Sequence, residues 1–214
     1  MDSFSIAREA TRYEKDAQSI EVEVTIIVVS YCTLTMTLEC LDSIYEQTRA
    51  TKYEIRAVDN ASGDGSADAI AERFPRIRLF AQKENLGFAI ANNLAATSAK
   101  GKYLLLLNPD TLVLDHAIDR LVAFAREHPD AGIWGGRTLF ADGKLNPTSC
   151  WGRMTLLSLF FFACGFTRAF HNSRIFNREA MGNWQRDTVR SVDVVTGCFF
   201  LIERSLWQRL GGFD

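Results

Sequence analysis

Four short apolar runs, each followed by a segment of helical period, fix the first 125 or so residues more tightly than any other feature of this sequence. The runs are EVTIIVVSY (23–31), YEIRAV (53–58), IRLFAQ (77–82) and GKYLLLLN (101–108). Between them lie TLTMTLECLDSIYEQT, with Leu34, Leu38, Leu41, Ile44 and Tyr45 at helical spacing, then SADAIAERF and GFAIANNLAATSA. A short β-branched or leucine run without alternation marks a strand covered on both faces. Strand and helix in strict alternation mean crossover connections and a parallel sheet with helices on both sides. The expected fold is therefore α/β, a Rossmann-like, mostly parallel sheet with flanking helices. Gly101 reads as the stop of the third helix.

After Pro129 the rhythm changes. AGIWGGRTLFADGKLNP predicts a strand and a hairpin turning at Asp142-Gly143, residues 150–187 show no period, and SVDVVTGCFFLIERSLWQRLGGFD predicts one strand over 192–202 followed by a helix over 204–210. The sequence thus divides into a polar leader (1–22), a first segment (23–128) and a second (129–214). The leader has no apolar stretch of the kind a signal peptide requires. A net charge of −2 and a pI near 6.0 give no electrostatic footprint for nucleic acid. Five cysteines with no CxxC spacing and no histidine at ligand spacing fit reduced thiols in a cytoplasmic protein, not a zinc site. MTLLSLFFFACGF (154–166), between Arg153 and Arg168, is too short to span a bilayer, which takes about 20 residues. It reads equally as a buried helix or as one lying in a membrane interface or against an acceptor, and the membrane reading would place the protein at the inner face of the membrane with peripheral lipid contact.

In a parallel α/β sheet, ligands sit at the carboxyl ends of the strands. Here those ends carry Ser30-Tyr31, Asp59-Asn60, Asn85 and Asn108-Pro109-Asp110. One such group is usually a helix cap, whereas four on one edge point to a site. Asn108 and Asp110, two residues apart, share a face in an extended segment, and an aspartate with an oxygen-bearing neighbour suits Mg²⁺ or Mn²⁺. Asp110 can equally cap a helix starting near Leu114. Asp59 at a strand end can accept the N3–H of a uracil or thymine. Asn60, Ser62 and Asp64 have a calcium-loop spacing without its glycine and glutamate in place, and turn-making with an N-cap at Ser66 explains Ser62 to Ser66. Gly87 lies where backbone N–H groups at a helix start can approach a diphosphate, but neither GxGxxG nor a Walker lysine is present.

The ordered motifs VVSY, VDNASGDGS, NLGFAIANN, LLLLNPDT, VDVVTGCFFLIERS and GGFD together resemble the inverting glycosyltransferase family 2, and especially its rhamnosyltransferase-like members. The resemblance runs from about Val24 to Asp214. It implies the A-type glycosyltransferase fold, with a nucleotide-sugar-binding half over 23–128 and an acceptor-binding half over 129–214. It implies transfer of a sugar such as rhamnose from a UDP- or dTDP-sugar to a glycan or lipid-linked acceptor, with inversion and with Mg²⁺ or Mn²⁺ as cofactor. Residue by residue, it implies that Ser30 and Tyr31 line the base pocket and Asp59 pairs with the pyrimidine. Asn85, Gly87 and Asn93 would shape the ribose and diphosphate side, and Thr196 and Gly197 would lie beside the donor sugar. Asn108 and Asp110 match the family's D-x-D metal motif with its first aspartate replaced by asparagine, leaving Asp110 as the one carboxylate ligand. The family's general base lies in an acidic pair after the GGFD segment, beyond Asp214. The expectation is therefore a C-terminally incomplete transferase, the alternative being a nucleotide-sugar-binding fragment that lacks its base. A nucleotidyltransferase, by contrast, would carry a Gly-rich phosphate loop and a basic residue where SYCTLTMT stands.

Overall fold

The computed structural model describes residues 22–182 and 184–214; all but the last residue of the polar leader lies outside the described residues. Strands β1 (Val24–Ser30), β2 (Tyr53–Asp59), β3 (Arg78–Ala81) and β4 (Tyr103–Leu107) alternate with helices α1 (Leu34–Gln47), α2 (Ser66–Arg73) and α3 (Gly87–Ala96). Helix α4 (Ala117–Glu127) follows β4, and β5 (Ile133–Gly135), β6 (Cys150–Trp151), α5 (Leu156–Ala163), α6 (Phe166–Ala169), β7 (Val194–Val195), β8 (Phe199–Glu203) and α7 (Arg204–Leu210) complete the order.

Six strands form one sheet in the order β3-β2-β1-β4-β8-β5. β1 pairs in parallel with β2 and β4, and β2 with β3, while β8 runs antiparallel to both β4 and β5. The strands after residue 129 thus extend the sheet begun before it. The pleat sends alternate residues to opposite faces. Val24, Ile26, Val28, Tyr103, Leu105, Leu107 and Leu201 pack with Leu41 and Ile44 of α1, Ile70 of α2 and Ile118 and Val122 of α4. Ile27, Val58, Leu104, Leu106, Phe200 and Ile202 pack with Ala91, Ala95 and Ala96 of α3 and Trp207 of α7. The alanines of α3 let that helix lie close on the sheet.

The sequence reading is corrected at three places here. The strand expected over 192–202 is two: β7 leaves the sheet to pair with β6, and Thr196–Cys198 bridges to β8. The Asp142-Gly143 turn forms, with Gly143 at φ +78°, but it joins only an isolated bridge between Leu139 and Leu145. Gly101 does not stop α3, which ends five residues earlier. It is needed because a Cβ there would stand 2.4 Å from the Thr25 backbone nitrogen and 2.7 Å from the Tyr103 carbonyl oxygen.

One buried charge went unread. Arg56 lies in the middle of β2 with no exposed surface. Its guanidinium pairs with Glu54 at 3.3 Å and donates to Ala95 O at 3.3 Å, to Ser98 Oγ at 2.5 Å and to Ser98 O. It therefore serves the open carbonyls at the end of α3, which have no partner within the helix.

Candidate functional site

The carboxyl ends of β1, β2, β3 and β4 share one edge, and because β8 runs the other way its amino end reaches the same edge. Five loops meet there and are tied to one another. After β1, Cys32 takes a left-handed conformation (φ 52°), its N–H donating to Ser62 Oγ at 3.0 Å. After β2, Ala61 is also left-handed (φ 66°). Two non-glycine residues in this region on facing loops cost conformational energy that the surrounding bonds must offset. Asp64 joins the same two loops: its carboxylate accepts from Leu34 N–H at the start of α1 and from Ser66 N–H and Oγ at the start of α2. These bonds, that from the Ser66 hydroxyl foremost, hold it below the ordinary carboxylate range. The cap of α2 is thus made by Asp64, with Gly65 at the N-cap position, and not by Ser66.

Asn60 ties the second loop to the third. Its amide nitrogen donates to Asn85 Oδ1 at 2.8 Å and to Gly87 O at 3.3 Å, and its oxygen accepts Leu86 N–H at 2.8 Å. Asn85 Oδ1 also accepts Gly87 N–H at 2.8 Å. Gly87 opens α3 at φ +75°, and a Cβ there would meet nothing within 4 Å, so the space over the helix start is open. The adjoining Phe88 ring stands against Gly197, where a Cβ would lie 3.2 Å from Phe88 Cζ. One residue on, Cys198 O accepts Asn108 N–H at 3.2 Å, and Asn108 O in turn accepts from the Cys40 thiol at 3.6 Å. Burial, helped by the negative charge of Asp110, pushes that thiol up to about 12.

Two carboxylates on this edge have oxygens without protein partners. Asp59 is buried, its Oδ2 accepting Ser62 N–H at 3.3 Å, and its Oδ1 has no hydrogen bond among the described residues. A buried, unsatisfied acceptor is uncommon and asks for a partner. Asp110 is exposed in a turn closed by Thr111 N–H on Asn108 O, and its carboxylate accepts no hydrogen bond among the described residues. It caps nothing: α4 begins at Ala117 behind a left-handed His116. The helix-cap reading of Asp110 therefore falls. Among the described residues no group of three His, Cys, Asp or Glu side chains comes together. A free, solvent-facing carboxylate beside an asparagine does fit a hard cation whose remaining ligands are phosphate oxygens and water.

The other expected residues divide. The Ser30 hydroxyl is fully buried and bonded to Thr33 Oγ1 and Thr37 Oγ1 at 3.1 and 2.9 Å, so it fastens α1 to β1. Tyr31 beside it is 51 % exposed, an open aromatic face. Thr196 is held from below, its N–H and hydroxyl both donating to Ser149 O at 3.2 and 3.1 Å. The Asn93 amide is taken up by Phe213: its nitrogen donates to Phe213 O at 2.8 Å and its oxygen accepts Phe213 N–H at 3.0 Å. Its amide holds the Gly212-Phe213 segment, a departure from the ribose-side role expected of it. Asn60, read in the sequence as a polar group at the end of β2, is the residue that ties the second loop to the third.

The family model described as "Glycosyl transferase family 2" matches residues 25–210. The chain belongs to glycosyl transferase family 2. An O-antigen biosynthesis protein, RfbC, of Myxococcus xanthus is 29 % identical over 177 residues, 81 % of this chain and 13 % of that protein. The N-acetylglucosaminyl-diphospho-decaprenol L-rhamnosyltransferase of Mycobacterium tuberculosis is 26 % identical over 174 residues, 73 % of this chain and 53 % of that one. The chain therefore spans about half or less of the length of these relatives. Among solved structures, the mannosyltransferase PcManGT of Pyrobaculum calidifontis, in complex with GDP-Man and Mn²⁺, superposes with a TM-score of 0.58 at 26 % identity, over 99 % of this chain and 55 % of that one. Residues 1–349 of TarS from S. aureus with UDP give 0.59 at 19 % identity, over 88 % of this chain and 49 % of that one, a likeness of fold. This family 2 chain thus has the mostly parallel sheet with flanking helices of the A-type transferases.

Proposed function

We propose that this chain binds a pyrimidine nucleoside-diphosphate sugar, UDP- or dTDP-linked, and transfers the sugar with inversion to a glycan or lipid-linked acceptor. Rhamnose is the favoured sugar, from the relative named as an L-rhamnosyltransferase. The observation that carries the reading is Asp59 Oδ1, a buried acceptor with no protein partner among the described residues. A ring N3–H supplies the missing donor, and the exposed Tyr31 offers a face on which the base can stack.

The diphosphate would lie over the start of α3, where Asn60 and Asn85 take the Leu86 and Gly87 N–H groups and fix the 85–87 turn, leaving the next N–H groups of the first turn, which have no partner within the helix, to meet an anion. Asp110 and Asn108 would hold Mg²⁺ or Mn²⁺, a choice supported by the Mn²⁺ bound in the mannosyltransferase relative. When bound, that cation supplies positive charge against the departing diphosphate. Thr196 and Gly197, fixed by Ser149 and Phe88, would flank the donor sugar. In the transfer, an acceptor hydroxyl oxygen forms the new bond to the anomeric carbon from the face opposite the leaving group. The bond from that carbon to the diphosphate oxygen breaks, and its electron pair leaves with the nucleotide. The hydroxyl proton passes to a carboxylate, which the family resemblance puts after the Gly211–Asp214 segment.

Calorimetry with UDP and dTDP tests the reading. Binding is expected to strengthen with Mn²⁺ in the native chain and to lose that dependence in Asp110→Ala. Equal affinity with and without metal in the native chain would remove Asp110 from the role given to it.

A further inference from the structure

Helix α5 is built inside out. Its two less exposed residues are Ser158 and Phe161, and no residue of it is buried. Leu156 is 88 % exposed and Phe162 72 %, with Leu157, Leu159 and Phe160 all more than half exposed. Helical spacing spreads these five side chains over most of the circumference, so the face turned to solvent is the apolar one. The helix is nonetheless well formed: Thr155 and Ser158 make a reciprocal capping box at its start. Phe161 packs edge-on against Phe166 and Phe176, and Phe170 joins them, giving the α5–α6 hairpin a small aromatic core of its own. Exposed Met154, Phe170 and Ile175 extend the apolar surface.

The chain that builds it carries charge of one sign, and the adjoining carboxylate of Asp193 is taken up by Arg153 N–H at 2.8 Å. Residues 145–178 contain Arg153, Arg168, Arg174 and Arg178 and neither aspartate nor glutamate. All four arginines are exposed, and none makes an ion pair among the described residues. An apolar helix with unpaired cations around it meets the two demands of an anionic bilayer interface, with side chains for the acyl boundary and guanidiniums for the headgroups. A second copy of this chain docked face to face would set those arginines against one another, which disfavours self-association. No helix among the described residues is long and apolar enough to cross a membrane, so the fit is to its surface.

We propose that the α5–α6 hairpin is a membrane-docking surface that inserts Leu156, Leu159, Phe160 and Phe162 into the interface of an anionic bilayer. This goes beyond the transferase reading and does not rest on it.

The test is sedimentation of the full chain with vesicles of phosphatidylcholine alone and of phosphatidylcholine mixed with phosphatidylglycerol. Binding is expected to the mixed vesicles, weakened by high salt, with each arginine replaced by alanine costing about fivefold in partition. The double variant Leu156→Glu, Leu159→Glu is expected to lose at least about 100-fold, because two large side chains no longer enter the interface. Both glutamates fall in the first turn of α5, where the helix dipole favours them, so an unchanged melting temperature certifies the fold. Three results would overturn the proposal: no binding to mixed vesicles, binding that the double variant leaves intact, or a dimer in sedimentation velocity that the double variant dissolves.

Discussion

Replacing Asp59 by asparagine separates recognition from folding, because the two carboxylate oxygens have different partners. Oδ2 accepts Ser62 N–H at 3.3 Å, and an amide oxygen can keep that bond. Oδ1 is buried with nothing to accept from among the described residues, and asparagine puts an NH₂ donor there instead. Against a uracil or thymine N3–H this turns an acceptor–donor contact into two facing donors. A hydrogen bond to a charged group contributes about 1.5–3 kcal/mol net, so UDP and dTDP affinity should fall about 10- to 150-fold. Stability should hardly move, since the substitution keeps the volume and the one protein bond and relieves a buried charge. A shift in melting temperature of no more than about 2–4 °C corresponds to 1 kcal/mol in a chain of this size. The assays are titration calorimetry with UDP, dTDP and GDP and thermal melting of both proteins without ligand. UDP binding at native affinity in a folded Asp59→Asn would refute the pairing. So would a loss that fell equally on GDP, whose ring offers a different donor pattern.

Asp110→Ala should leave the melting temperature unchanged, because its exposed carboxylate accepts no hydrogen bond among the described residues, while abolishing any strengthening of UDP binding by Mn²⁺. Asn60→Ala takes a buried amide away from half-buried Leu86 N–H and exposed Asn85, so urea titration should show a loss of about 0.5–1.5 kcal/mol, and UDP affinity should fall with it. Arg56→Leu leaves Glu54 half-buried without its cation and the Ala95 and Ser98 carbonyls unserved; about 3–5 kcal/mol should be lost by the same measurement. Stability should also fall in acid through Asp119: burial pushes its carboxyl up, but the N–H groups of Arg49, Ala50 and Thr51 outweigh that and hold it below the ordinary range. A depressed carboxyl stabilises fully above its unfolded value, about 3.9, and loses that stabilisation as pH falls through the folded value. Melting temperature against pH should therefore drop less steeply in Asp119→Asn than in the native chain below about pH 4.

The parallel half of the sheet was legible because each buried strand announces itself alone: VTIIVVS and YLLLL are apolar without alternation, and the helices between them carry their own period. Tyr31, Asp59, Asn85, Gly87 and Asn108 were legible for a topological reason, since residues just past such strands must share an edge. What stayed hidden were partners distant in sequence. Asn93 looks like a third polar group on the α3 turn until Phe213 is found 120 residues later, bonded to both ends of its amide. Ser30 looks like a lining group until Thr37 is seen to take its hydroxyl. Arg56 gave no hint that it would be buried: Glu54 two residues before it supplies one partner, but its other acceptors belong to the end of a helix some 40 residues on. Asp64 reads as a turn residue and caps two helices at once.

The reversed strand explains why a segment so far from the first four strands belongs to the same site. A fifth parallel strand beside β4 would have sent its leading loop to the opposite edge, away from Asp59 and Asp110. Running antiparallel, β8 puts Phe199 opposite Leu107 and brings Thr196–Cys198 directly beside Asn108. The chain reaches this edge through the separate β6–β7 ribbon, which Ser149 fastens to Thr196. The loop beside the start of α3 is therefore fixed at both ends, by Asn108 N–H on Cys198 O and by the Ser149 carbonyl on Thr196. Between them Gly197 stands against Phe88, where a Cβ would lie 3.2 Å from Phe88 Cζ, so a larger side chain must displace the ring that adjoins Gly87. Gly197→Val should accordingly weaken nucleotide-diphosphate binding while sparing the Asp59 contact. UDP affinity would then fall while uridine affinity held, and equal losses for both would show that the loop does not guard the diphosphate side.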